Sequence, residues 1–131
     1  MTKVDEVLDW FRIPASILGP NSILQFEPLW TFTQSTSLKK FTISVGGATI
    51  FTRTWYAKTA EAPMIILANR NSLTSQITPY SDGYMSGGIW KPATFTIDFT
   101  LNQIVEFRGY RENSNDSLNL EYYRVLHLVG D

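Results

Sequence analysis

Side chains able to do chemistry are few in this sequence and poorly grouped. His127 is the one histidine among 131 residues. It lies near the end of a strand-like run, on the face opposite Leu126 and Leu128. As a general base it would need a serine or carboxylate partner, and no residue has an obvious reason to meet it. The plainer reading is a surface or interface histidine. Asp98, Glu106, Glu112 and Glu121 are scattered over strand-like runs. Two of them could meet across a sheet as a glycosidase pair, but such pairs sit in a cleft, and a small sandwich suggests none. Gly46-Gly47 could cradle a phosphate only ahead of a helix. The residues after it favour strand, so it reads as a hairpin turn. Asn115-Asp116-Ser117 reads as turn chemistry, because a calcium loop would need several more oxygen ligands nearby. The chain has no cysteine, hence no thiol nucleophile, disulfide or cysteine zinc site. The lone histidine removes multi-histidine metal sites. We expect no catalytic residue, no metal and no cofactor.

Composition narrows the partners. Eleven basic and twelve acidic residues give a net charge of −1, with pI near 5.8. Nucleic acid needs a basic excess and is not an expected partner. No apolar stretch approaches the roughly 20 residues of a membrane helix, so no membrane is expected. The start, Met1-Thr2-Lys3-Val4-Asp5-Glu6, lacks a signal-peptide core. Charged residues are 18% of the chain, below the roughly 25% usual in soluble domains. Aromatic residues are 14%. A low-charge, aromatic-rich exterior suits an assembly interface.

The positioning elements read as strands. Turn signals recur at short spacing, among them Gly19-Pro20-Asn21, Gly46-Gly47, Ser81-Asp82-Gly83 and Asn102-Gln103, and the runs between them alternate with period two. Leu24, Phe26, Pro28, Trp30 and Phe32 share one face. Phe41, Ile43 and Val45 share another, and so do Phe95, Ile97, Phe99 and Leu101. In the last run Leu118, Leu120, Tyr122, Leu126 and Leu128 fall together, interrupted by Arg124. Met64-Ile65-Ile66-Leu67-Ala68 is apolar without a break, as for a strand covered on both sides or an assembly surface. We expect one all-β domain over residues 1–131, an antiparallel, jelly-roll-like β-sandwich of about eight strands.

Residues 1–12 are open to three readings. Val4, Val7, Leu8 and Phe11 fit helical spacing, with Thr2 as a cap. A strand would group Leu8, Trp10 and Arg12. As an extended arm, the segment would offer Trp10 and Phe11 as anchors to a partner. Residues 79–92 are long for a loop in a compact domain, and such loops are usually functional or disordered. Tyr80, Tyr84, Met85 and Trp90 are its candidate binding residues. They would touch another protein subunit, stack on a host glycan, or fold back over the sandwich with Trp90 covering the core.

From Ile13-Pro14-Ala15-Ser16-Ile17-Leu18-Gly19-Pro20-Asn21 onward, the chain resembles a group of small β-sandwich domains of tailed-phage virion proteins. The pattern continues through Leu29-Trp30-Thr31-Phe32-Thr33, Lys39-Lys40-Phe41-Thr42-Ile43-Ser44-Val45-Gly46-Gly47 and Asn69-Arg70-Asn71-Ser72. It closes on Phe95-Thr96-Ile97-Asp98 and Asn115-Asp116-Ser117-Leu118-Asn119-Leu120-Glu121-Tyr122. The ordered set spans roughly residues 13–128. The resemblance implies a homotrimer displayed on a virion, assembled in the host cytoplasm, with no shared catalytic residues. A chain that starts at its own Met1 and ends just past the last strand is expected to lack a fibre shaft and a separate anchor. That favours a capsid decoration, or cement, protein holding the phage major capsid protein or other virion proteins through its own surface. The alternative is a tail-fibre or baseplate component that contacts host glycan or surface protein. An enzyme acting on polysaccharide is the third reading, disfavoured by the missing acid and histidine constellation.

Overall fold

A computed structural model describes residues 2–79 and 92–130. Its strands are β1 (Val4–Ile13), β2 (Ile23–Phe32), β3 (Lys39–Val45), β4 (Ala48–Trp55), β5 (Ala60–Glu61), β6 (Ile65–Asn69), β7 (Gln76–Thr78), β8 (Ala93–Phe95), β9 (Gln103–Arg111) and β10 (Leu118–Leu128). They form two antiparallel sheets. One runs β1-β9-β3-β4; the other runs β10-β2-β6-β7-β8, with β5 also pairing β2. The sandwich expected from the turn spacing is therefore the fold. The described residues hold ten strands rather than about eight, because β5, β7 and β8 span only two or three residues. Pieces that short carry no readable alternation.

Strand β2 shows why the sheets close on each other. Every even residue from Leu24 to Phe32 is buried and every odd one half-exposed, the pattern of a strand with one face on a core. Trp30 is fully buried, with ring centroids 5.3 Å from Phe41, 6.0 Å from Phe51 and 6.4 Å from Phe107. Those three rings come from β3, β4 and β9, so one β2 side chain touches three strands of the opposite sheet. Pro28 is tolerated inside this central strand because it falls between the β6 pairing, which ends at Phe26, and the β5 pairing, which starts at Trp30. No ladder bond is lost on that side.

The β3–β4 turn is Gly46-Gly47, at φ 57° and 82°. Positive φ at both positions defines the type I′ hairpin that matches strand twist. A methyl on Gly46 would come 2.4 Å from Gln103 Oε1, whereas one on Gly47 meets open space. Both alanine variants incur about 1–2 kcal/mol of left-handed strain. Gly46→Ala should cost measurably more in urea unfolding, because Gln103 must also move. Its Nε2 donates to Asp98 O at 2.7 Å.

The structure corrects the sequence expectations in three places. Of the readings open for the amino-terminal segment, the strand holds and the helix and the free arm do not: β1 pairs with β9 from Val4↔Arg111 to Ile13↔Gln103. A bulge between Val7 and Asp9 inserts one extra residue, which flips the side-chain alternation beyond it. Phe11 and Ile13 therefore turn inward, and Trp10 and Arg12 turn outward. The expected Leu8-Trp10-Arg12 face does not exist. In β10 a second bulge, between Leu120 and Tyr122, does the same. Leu118 and Leu120 face the core, but Tyr123 and Val125 take over from there, and Tyr122, Leu126 and Leu128 face outward. Finally, the Phe95-to-Leu101 run leaves the sheet after Phe95. Ile97 and Phe99 stay buried, but their backbone groups bond elsewhere. Gln76 accepts from Ile97 N–H and donates to Ile97 O, and Phe99 N–H donates to Leu73 O.

Candidate functional site

The two bulges decide what the surface offers. Beyond its bulge, β10 turns Tyr122, Arg124, Leu126 and Leu128 to the outside of the six-stranded sheet. The register extends these into rows across the strands. Leu128, Ile23, Ala68 and Ile77 form one row, Leu126, Gln25 and Ile66 the next. Arg124 lies beside Glu27, and Tyr122 beside Leu29. The outer face of a sandwich is ordinarily polar; this one is mostly apolar. Tyr122 is 59%, Leu128 49% and Met64 40% exposed. A groove runs along it, lined by Pro28, Ala62, Pro63, Met64 and Tyr122 together with the charged Glu27 and Arg124. The unbroken 64–68 run is thus explained: Ile65 and Leu67 point into the core, Ile66 and Ala68 to this face.

One ion pair interrupts the apolar rows. Arg124 Nη2 donates to Glu27 Oε1 at 2.9 Å and to Oε2 at 3.1 Å, with Nε 3.3 Å from Oε2. Gln25 Nε2 donates to the same Oε2 at 3.1 Å. The Arg124 guanidinium, helped by the Gln25 amide, holds the Glu27 carboxyl below its ordinary value of 4.5. A carboxylate with a lowered folded pKa stabilises the fold above its unfolded value and loses that contribution as pH falls through the folded one. We expect the stability gap between the parent and Arg124→Ala to be present at neutral pH. It should close below the ordinary carboxylate range, read from urea midpoints between pH 7 and pH 3.

The expected amino-terminal contact residues part company. Trp10 stands on the outer face of the four-stranded sheet, opposite Glu106, and is 58% exposed. Phe11 lies between the sheets, stacked 5.9 Å from Tyr123. Tyr123 also stacks 4.3 Å from Phe107. Burial there, followed by the Asp9 carboxylate, pushes the Tyr123 hydroxyl above its ordinary pKa. The loop candidates Tyr80, Tyr84, Met85 and Trp90 lie outside the described residues.

His127 does meet a serine, which the sequence did not disclose. Its Nε2 is 2.8 Å from Ser22 Oγ, and Ser22 Oγ accepts the Gly19 N–H at 2.8 Å. Ser22 is 1% exposed, so its hydroxyl is enclosed by the turn and offers no approach to a substrate carbonyl. The pair clips the end of β10 to the β1–β2 loop. Among the scattered carboxylates, Glu106 lies 3.4 Å from Arg108 on β9, and Glu121 accepts from Thr31 at the β10 bulge. Asp98 caps a turn through Thr100 N–H. Each of these three has a local partner, and Glu112 follows the end of β9, its backbone N–H donating to Leu38 O. Among the described residues, no three His, Asp or Glu side chains are grouped to hold a metal ion.

Sequence reasoning also missed a buried ion pair. Lys39 is fully buried with its Nζ 3.7 Å from Asp116 Oδ2, and donates to Ser35 Oγ, Ser35 O and Tyr56 O. Ser35 Oγ donates onward to Asp116 at 2.7 Å. A signal existed: carrying the Val45, Ile43, Phe41 alternation one step back puts Lys39 on the inward face. Asp116, read as turn chemistry, is its counter-charge, and Asn113 is the residue that caps that turn, accepting Asn115 N–H at 3.0 Å.

No protein-family model, curated protein or solved structure matches the chain.

Proposed function

We propose that this chain is a non-catalytic structural protein of a tailed-phage virion, a homotrimer that decorates the capsid and holds neighbouring shell subunits together. One observation carries the assembly part of this reading. The outer face of the six-stranded sheet, a surface that normally meets water, is mostly apolar across β10, β2 and β6 apart from Gln25, Glu27 and Arg124. Contiguous apolar patches of several hundred Å² on a soluble domain mark interaction sites. The virion setting rests on the ordered sequence resemblance described above. Mechanistically, each docked copy ties adjacent subunits and stabilises the bound state by mass action, by RT ln(1 + [L]/Kd).

The test is a particle that lacks this protein. It should keep its tail and its adsorption to host cells but lose resistance to heat or low salt. Normal shell stability with failed adsorption would contradict the decoration role and support the second reading, a tail-fibre or baseplate component. Trp10 favours that alternative: an exposed indole on a flat sheet face, flanked by the outward Arg12 and Glu106, suits a host protein or glycan surface. Under it, Trp10→Ala abolishes adsorption; under the decoration role, adsorption is unchanged.

A further inference from the structure

We infer that the outer face of the six-stranded sheet is the surface through which copies of this chain dock on one another, with the Glu27–Arg124 pair as the exchange point. The inference deepens the assembly reading and rests on it only for the presence of a partner.

The charges identify the occupant. At its middle the face carries the Arg124 guanidinium and the Glu27 carboxylate side by side on neighbouring strands, with Gln25 beside them and apolar rows on either side. Covering an ion pair with an apolar partner removes its hydration without return. A second copy brings the same two charges. Turned against the first, it sets Arg124 over Glu27 and Glu27 over Arg124, so each ion keeps an opposite neighbour and no net charge is buried. The mutual exchange belongs to a pair about a two-fold axis; in a closed ring each Arg124 instead meets the next copy's Glu27, with one such contact per interface. Around that point, Leu126, Leu128, Ile66 and Tyr122 lose water.

Area sets the strength. Rows about 7 Å apart on strands about 4.8 Å apart give a footprint of roughly 400 Å² per copy. That is about half the roughly 800 Å² per partner of a standard stable interface. Self-association through this face alone is therefore weak and concentration-dependent, and it strengthens when a ring closes or a particle holds the copies in place.

The experiment uses the purified chain free of any particle, from about 1 µM to 1 mM, read by light scattering and analytical ultracentrifugation. The parent should pass from monomer to oligomer over this range. Leu126→Arg should weaken association by at least about 30-fold. Glu27→Arg gives a face with two positive groups, and Arg124→Glu a face with two negative ones. Each variant alone should remain monomeric, and an equimolar mixture of the two should associate, because every crossing between unlike copies is again opposite in charge. Circular dichroism on each variant verifies the fold. A parent that stays monomeric at 1 mM overturns the inference. So does association untouched by Leu126→Arg, or a mixture that stays monomeric while the parent associates. None of these results depends on a virion, so they separate failure of this inference from failure of the capsid role.

Discussion

Asp116→Ala is expected to destabilise the fold by about 3–5 kcal/mol, the usual cost of removing one partner from a buried ion pair. The reason lies in what remains. Lys39 is fully buried and cannot extend to water. Without Asp116 its ammonium keeps oxygen contacts from Ser35 and Tyr56 but has no counter-charge. Ser35 also loses the acceptor for its hydroxyl. The pair joins the first residue of β3 to the turn before β10, so the loss is felt in both sheets. The comparison that isolates the charge effect is Lys39→Met with Asp116→Ala. Removing both ions avoids an uncompensated buried charge, and the double variant should be more stable than Asp116→Ala alone in urea unfolding. A double variant as unstable as the sum of two damaging singles would mean that packing, not charge, governs the site.

Trp30→Ala should cost a similar 3–5 kcal/mol, for a different reason. Trp30 fills the space between the sheets, in contact with rings from β3, β4 and β9. Truncation leaves a cavity in a core packed to crystal-like density. Trp30→Phe should cost far less than the alanine variant. It keeps a ring against the same neighbours, and among the described residues the buried indole Nε1 has no hydrogen-bond partner, so its removal forfeits no bond there and relieves an unmet donor. Equal losses for phenylalanine and alanine would contradict this account of the site.

How much of this was legible in the residues depends on whether the period-two pattern was intact. Strand β2 runs ten residues without a bulge, and its inward set is read directly from the sequence, Pro28 included. The Gly46-Gly47 hairpin is equally plain, because both positions require positive φ. Strands β1 and β10 defeated the same reasoning. A bulge adds one residue with no compositional mark, and everything beyond it changes face. That single effect hid the outward apolar surface, since Tyr122, Leu126 and Leu128 read as core until Glu121 is recognised as the extra residue. Trp10 and Phe11 shared one role only in the extended-arm reading; once β1 pairs with β9, these adjacent residues point to opposite faces. Contacts distant in sequence, such as Ser22 with His127 and Lys39 with Asp116, leave only faint local traces. The inward parity of Lys39 was one of them.

The most direct measurement of the central claim is a reconstruction of a phage particle containing this chain by electron cryomicroscopy. The account predicts clustered copies on the capsid, with the Tyr122, Leu126 and Ile66 face covered by a neighbouring copy. A chain found as an isolated copy with that face open to solvent, or not found in the particle at all, would contradict it.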